Sequence, residues 1–519
     1  MNTGIMGKFK FLLLIATCLL FLGGTIFALP FDMILSGDPA LEDLRFLSLK
    51  SGHPFLSFTP PLAPAEIENF LDSIDTSLLG ENERQAEERI RQRLAPNPRM
   101  ATNDSFASLV TINSAIEGRA RSTTDIDWYP APPKILPMVS LPMRLFFADT
   151  VQLYIEPFLA INVFHYEKAQ TFGTNIHYDV ENAIDLNMPR RMFFAAGGQH
   201  WNFQLGRDEL FWGTGHTGSL SFSGNAHYFD FARISFFSRN LKYSFTVHQM
   251  PFEIPTEKIT QRHFYLHRID FTVRDSLAIG IMEGRITGNA PLGFQHINPL
   301  APFFYDIDDD LSSFFSLEAN WNIVSAFSVY GQFVMTDFAL PYWNAGQNPS
   351  GLGFMAGLNL GHSFDRWASV FFLEYIYTYP YLYMSSGTFS SFVQQSKVGV
   401  AGTQNYFIGF PRDSSALTLG VRFFQEDKLS FSGELTWRVR GEFAVNDVTL
   451  NWIPSGVATS SFSGTPEQSG IATFSARWRP FTHFTFSGSI TGIVSDNHNN
   501  NAGVTVAGGQ TVLAVIFQY

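Results

Sequence analysis

The sequence predicts an all-β fold: a transmembrane antiparallel β-barrel of the outer-membrane kind, with about 16–18 strands and a small periplasmic helical element before it. Three observations carry this. Long stretches alternate between apolar and polar side chains, the period-2 pattern of a strand whose two faces meet different surroundings. The chain is charge-poor and aromatic-rich, 15% of each, with 54 Phe and 17 Tyr in 519 residues, where a soluble domain carries about 25% charge. It also ends in an alternating strand, TVLAVIFQY, whose last residue, Tyr519, is aromatic.

Residues 1–28 read as an export signal. Lys8 and Lys10 precede an apolar run from Phe11 to Phe21, and small residues lead to Ala28, the expected cleavage point. A rival reading, a lipid-modified cysteine in Ile15-Ala16-Thr17-Cys18, fits less well, because Thr17 suits that chemistry poorly and the apolar run continues past Cys18. Cys18 is the only cysteine, so the exported chain is expected to carry no disulfide.

Residues 29–100 are expected to form a periplasmic helical leader or plug. From Leu62 to Leu79, the residues Ile67, Phe70, Leu71, Ile74 and Leu78 recur at helical spacing and need an apolar partner. Glu81 to Leu94, ENERQAEERIRQRL, is almost wholly polar but rich in helix formers.

Residues 101–519 make the barrel. No segment there offers the ~18 uncharged apolar residues of a spanning helix, but alternation recurs. In KLSFSGELTWRVR, Leu429, Phe431, Gly433, Leu435, Trp437 and Val439 oppose Ser430, Ser432, Glu434, Thr436, Arg438 and Arg440. Phe481 to Val494, Ser325 to Met335 and Leu241 to His248 repeat the pattern. Strands of about ten residues suit a tilted membrane crossing, and an open edge is not viable in hydrocarbon, so the sheet must close. Tyr375, Tyr377, Tyr379, Tyr381 and Tyr383 are expected in an interfacial girdle.

Gly213, Gly215 and Gly218 in FWGTGHTGSLSFSG have the spacing G-x-G-x-x-G. A nucleotide loop needs a helix after the glycines; strand-like SLSFSGNAHYFDFARISFF follows instead, so the glycines are expected to allow a tight inward loop or a close ligand approach. Asp306, Asp308 and Asp310 have D-x-D-x-D spacing, but Leu311 and Leu317 stand where a calcium loop needs Gly and Glu, so a solvated acidic loop is expected. The net charge of −12 offers no basic face to nucleic acid. There is no G-x-S-x-G, H-E-x-x-H or mature cysteine nucleophile, so no catalytic residue, metal or cofactor is assigned and an enzyme is not expected.

Several segments together resemble the Wzi-type capsule-assembly family of outer-membrane proteins. They are GRDELFWGTGHTGSLSFSGNA (from Gly206), FYLHRIDFTVRDSLAIGIMEGRI (Phe264 to Ile286), HINPLAPFFY (His296 to Tyr305) and VYGQFVMTDF (Val329 to Phe338), with GDPALEDLRFLSLKSGHPFLSFTPPLA as the leader. The likeness spans the leader and the central barrel; beyond about Phe354 only generic alternation remains. Gln332 departs from the pattern, where the family often has an acid.

The resemblance implies a monomeric, lectin-like barrel that holds surface polysaccharide, in contact with outer-membrane lipid and recognised by the barrel-assembly machinery through Tyr519. Sugar binding combines aromatic faces with carboxylates, amides and guanidinium groups. Trp201, Arg207, Asp208, Trp212, His216, Asn225, Arg268 and Glu283 are the candidate contacts. Each has a plainer explanation: the tryptophans as girdle or lumen packing, the charges as mutual neutralisation, His216 as a loop residue. A porin or hydrophobic-solute channel is the alternative function, and an outer-membrane hydrolase a third.

Overall fold

Alternation in the chain becomes a ring in space. The computed structural model describes residues 31–97, 100–103, 106–126, 135–161, 171–176, 185, 187–254, 257–259, 261–288, 291–293, 296, 298, 311–337, 349–384, 391–398, 402–425, 428–443 and 461–519. The export signal and the Asp306–Asp310 loop lie outside these. Twenty-three extended segments join in one antiparallel sheet. Some are pieces of one strand: Ser114↔Val139 and Asn113↔Ser140 run on in the same register to Val110↔Met143 and Phe106↔Phe147.

Eighteen staves result among the described residues. They are β1 (106–121), β2 (139–147), β3 (151–159), β4 (Met192–Gly197), β5 (Trp201–Asp208) and β6 (Phe229–Phe237). Then come β7 (Leu241–Gln249), β8 (His263–Val273), β9 (Leu277–Thr287), β10 (Leu311–Val324), β11 (Phe327–Asp337) and β12 (Gly351–Phe364). The last are β13 (Trp367–Thr378), β14 (Ser414–Gln425), β15 (Leu429–Arg440), β16 (Glu467–Phe481), β17 (Phe484–Asp496) and β18 (Thr505–Gln518). Each pairs with the next, and β18 returns to β1 from Gln518↔Asn113 to Gln510↔Arg121, so no edge is left open. FFAAGGQHWNFQLGR, which reads as two strands or one bent one, is two: β4 and β5, paired Asn202↔Gly197.

Connections alternate between turns of two or three residues and long loops. Short turns lie periplasmic and long loops extracellular in such barrels, which orients the molecule. Faces are inverted relative to a soluble protein. Ile490 and Leu513 point outward, 60% and 63% exposed, while Arg233 and Glu374 are 1% exposed inside. Tyr375 faces outward, but Tyr381 and Tyr383 do not reach a girdle: the chain leaves β13 at Thr378, and both rings are buried among the loops that cap the barrel.

Among the described residues, three α-helices precede the ring: α1 (Ala40–Ser51), α2 (Pro64–Leu71) and α3 (Glu81–Leu94). α1 carries no clean stripe because Leu44, Phe46, Leu47 and Leu49 are all buried, surrounded by α3 and the barrel wall. The apolar stripe of α2 finds its partner: Ile67, Phe70, Leu71 and Ile74 join a cluster with Leu44, Phe55 and Ile90. Leu78 does not; the helix has ended and it is 81% exposed. The helices sit inside the short-turn end. Asn82 donates to the carbonyls of Asp365 and Trp367, Ala326 N–H donates to Leu49, and Ser363 donates to Glu83 at 2.8 Å.

Candidate functional site

Two segments meet inside the lumen. From the periplasmic end comes the stretch between α1 and α2; from the extracellular end, the loop 209–228 between β5 and β6 folds inward. The Trp212 indole N–H donates to the Pro60 carbonyl at 2.9 Å, and Gly213 N–H to Phe58 at 2.9 Å. Arg45 of α1 donates to the carbonyls of Gly213 and Thr214, each at 2.9 Å. Gly213 holds φ +130°, a backbone region that side chains disfavour, and a Cβ on Gly215 would run into the Gly218 carbonyl. The inward loop expected from the sequence is therefore what these glycines permit.

The loop does cradle anions, but they belong to the barrel wall. Thr214 N–H donates to Glu318 Oε1 at 3.0 Å; His216 and Thr217 N–H donate to the two oxygens of Glu374 at 2.8 and 2.9 Å. Tyr330 O–H reaches Glu374 at 2.8 Å, and Leu220 N–H donates to Gln332 at 2.7 Å. Successive backbone N–H groups form an anion nest, here filled by carboxylates of β10 and β13. Gln332 serves as the neutral third anchor.

Around this knot the buried charges are partnered, as a desolvated charge requires. Arg268 reaches Asp270 at 2.7 Å and Glu318 at 2.8 Å, and Ser57 donates to Asp270 at 2.9 Å. Lys242 pairs with Glu66, which also accepts from Asn202 at 3.0 Å and from Ala63 N–H at 3.0 Å. The His216 ring stacks on Phe372 at 4.2 Å, with Nε2 2.7 Å from Asn359 Oδ1. Burial, reinforced by Arg422 and Arg45, pushes this loop imidazole down to about 3. On α1, burial opposes ionisation of Glu42, but Arg422 and Arg45 overcome it and hold the carboxyl below its ordinary value.

Above the knot, the described parts of loop 379–413 fold onto the inward loop. Tyr383 O–H donates to Leu220 at 2.7 Å and Phe410 N–H to Ser219 at 2.7 Å. Phe392 of this loop packs edge-on or tilted against Phe264 and Phe314, and Phe264 in turn against Phe222.

The candidate contacts do not form one site. Trp212, His216, Asn225 and Arg268 belong to the lumen knot and its neighbours, with Trp212 1% exposed and Asn225 donating to the Gly409 carbonyl. Asp208 is buried against Arg191 at 3.1 Å. Trp201 opens β5 at a periplasmic turn. Arg207 lies at the extracellular rim, 2.8 Å from Asp230 and 3.8 Å above the Tyr228 ring. Glu283 pairs in register with His267 while Arg268 pairs with Met282, so Glu283 takes the face opposite Arg268 and the two cannot neutralise each other in the lumen.

Sequence reading missed Glu318, Tyr330 and Glu374, and noted Gln332 only as a departure from the pattern of the resemblance. Their signal is present: Glu374 is a lone acid in FFLEYIY, and an isolated carboxylate on a membrane strand must face inward to a partner. Among the described residues, no group of His, Cys, Asp or Glu could hold a metal ion.

Comparison with solved structures gives the same architecture. Wzi of Escherichia coli, an outer-membrane protein involved in group 1 capsule assembly and a carbohydrate-binding β-barrel, superposes with a TM-score of 0.58 at 15% identity, over 93% of this chain and 99% of that one. The fold is that of an outer-membrane β-barrel. OprD of Pseudomonas aeruginosa matches over 79% of this chain and 95% of its own at 8% identity and TM-score 0.42, and the channel DcaP of Acinetobacter baumannii over 80% and 99% at 8% and 0.36. No family model and no curated protein matches the sequence. With its apolar face turned outward, this outer-membrane barrel contacts lipid all round.

Proposed function

We propose that this outer-membrane barrel is a non-catalytic binding protein that retains surface polysaccharide, in the manner of a lectin. The observation that carries the reading is the plugged lumen: a helical plug from one end and an anchored loop from the other meet at Trp212–Pro60, an arrangement suited to a platform more than to a wide pore. The likeness to a carbohydrate-binding barrel over 93% of the chain supports it. The rim pair Arg207–Asp230 with the Tyr228 ring supplies an aromatic face beside charged hydrogen-bonding groups, the chemistry that sugars favour. Monomeric assembly and recognition through Tyr519 belong to the same reading.

The test compares cell-attached with shed polysaccharide in a strain lacking the gene. Release into the medium at unchanged total synthesis supports retention, and Tyr228→Ala and Arg207→Ala should then reproduce part of the release. Unaltered attachment overturns the reading. A channel is the second reading, favoured by a cavity left beside the plug; conductance steps of the intact protein in a planar bilayer would support it.

A further inference from the structure

The plug does not fill the lumen evenly. Between α1 and the wall lies a vestibule of about 1030 Å³, lined by Ser36 and Asp38 of the leader, by α1, and by staves from β10 round to β18. Ser430, close to the β14–β15 turn, marks its periplasmic end, and Thr214, Gly215 and His216 of the inward loop form its roof.

Charge in this vestibule is already matched. Asp38 reaches Arg93 at 2.8 Å, Asp43 and Glu117 are held by Arg89 and Arg119, and Glu42 and Glu434 lie 2.9 and 4.0 Å from Arg422. Arg45 is committed to two carbonyls of the inward loop, and Arg477 and Arg479 are also engaged within the chain. Among the described residues, an ionised ligand would find no spare counter-charge here to offset its lost hydration.

Neutral polar groups are arranged differently. The next inward residue of β10 after Glu318 is Asn320, which lines the vestibule, is 9% exposed, and has no hydrogen-bond partner among the described residues. Asn322 and Asn359 near it are committed: one donates to the Ser48 carbonyl at 2.8 Å, the other meets His216 at 2.7 Å and donates to Ser328 at 3.2 Å. The Thr214 hydroxyl, buried in the roof, is also without a partner, although Glu318 and Arg45 fix its backbone. On the far wall, Ser432, Ser475 and Ser489 stand level on β15, β16 and β17, with Ser430 and Ser487 one row toward the periplasm. Higher on that wall hydroxyls bond in pairs, Thr418 with Thr436 at 2.9 Å and Thr473 with Thr491 at 3.2 Å. The five serines make no such bond among the described residues. Leu41, Phe46 and Phe424 supply an apolar flank.

We infer that the vestibule binds an uncharged oligosaccharide, held by Asn320 and the Thr214 hydroxyl at one end and by the serine wall along its length. The inference rests on the glycan reading above and goes beyond it, naming a second site inside the lumen and a neutral class of ligand. A buried amide without a partner costs the fold stability, and a ligand supplies the missing bond. Sugar hydroxyls both donate and accept, so each can match an amide or a serine in either sense, and the C–H faces of the ring pack on phenyl groups. The volume, at the upper end of ligand sites of about 300–1,000 Å³, holds a few sugar units.

The experiment is calorimetric titration of the purified full-length barrel with maltotetraose, with cellotetraose and, as the charged counterpart, with tetragalacturonate. The expected result is saturable binding of at least one neutral tetramer, unaffected by salt, with tetragalacturonate at least tenfold weaker. Asn320→Leu keeps the side-chain volume and removes the amide. It should weaken the neutral tetramer at least tenfold yet unfold no more easily than wild type, because the deleted amide has no protein partner to lose; a purely structural role would lower stability instead. S432A/S475A, on the far wall, should also weaken binding, and takes over the test if Asn320→Leu lacks the folded, heat-modifiable band. Binding of neither neutral tetramer, tighter binding of tetragalacturonate, or unchanged binding in the variants overturns the inference. With polysaccharide still shed by the strain lacking the gene, such a result strikes only this site; unaltered attachment in that strain strikes the glycan reading beneath it.

Discussion

Replacing Glu374 with alanine should free the inward loop without unfolding the ring. The carboxylate accepts from His216 N–H at 2.8 Å, Thr217 N–H at 2.9 Å, the Thr217 hydroxyl and Tyr330 O–H at 2.8 Å. A hydrogen bond to a charged group contributes about 1.5–3 kcal/mol. The hydroxyls can turn to other partners, so only the two amides are counted, for about 3–6 kcal/mol. Water from the adjoining vestibule offsets part of this, leaving about 2–4 kcal/mol. At ~1.36 kcal/mol per tenfold, the open fraction of the loop rises roughly 30- to 1,000-fold. Hydrogen exchange of the 213–218 amides, followed by mass spectrometry in detergent, reads this directly. Strands β16 and β17, remote from the knot, serve as the internal control. Exchange within about threefold of wild type would refute the idea that the wall carboxylate holds the loop, and faster exchange throughout the barrel would mean that Glu374 supports the ring instead.

Leu435→Arg places a charge on the lipid face of β15, where Leu435 is 59% exposed; unfolding titrations from vesicles should show a loss of about 2–4 kcal/mol, against little change for Thr436→Arg on the lumen side. Deleting Tyr519 removes its two 2.9 Å backbone hydrogen bonds with Ile112, and the yield of heat-modifiable barrel in outer-membrane fractions should fall severalfold. Removing residues 36–95 takes out the plug, so single-channel recordings should show conductance steps well above those of the intact protein. The His216 imidazole, depressed to about 3 in the folded loop, lies below its unfolded value near 6.5. The loop's stability is therefore full above about pH 6.5 and declines as pH falls toward 3, so exchange corrected for intrinsic rates should quicken over that window, and His216→Asn should flatten it.

The ring was legible because a membrane strand writes its two faces into alternate residues: Leu435 and Trp437 outward, Thr436 and Arg438 inward, each parity assigned without any tertiary information. The last strand announced itself in the same way. The lumen was harder to read, for a physical reason. Its residues satisfy one another across large sequence separations, as Thr214 does with Glu318 and Lys242 with Glu66, and no local period marks such pairs. α1 was invisible as an amphipathic helix because its buried residues, Leu44, Phe46, Leu47 and Leu49 among them, do not fall on one face. Tryptophans drew attention as ligand platforms, yet Trp212 is a strut between loop and plug, and the carboxylates that matter were single acids inside apolar strands. Arg268 and Glu283 show the cost of pairing charges by eye, since one residue of register puts them on opposite faces.

The seam where β18 meets β1 also receives the leader. The short strand 101–103 that follows α3 pairs there with residues 106–108, while β18 pairs with residues 113–121. Loop 209–228 and the leader are hydrogen-bonded to each other inside the ring. The contents of the hoop are thus held by two tethers, one running through the leader to the seam and one to the staves β5 and β6.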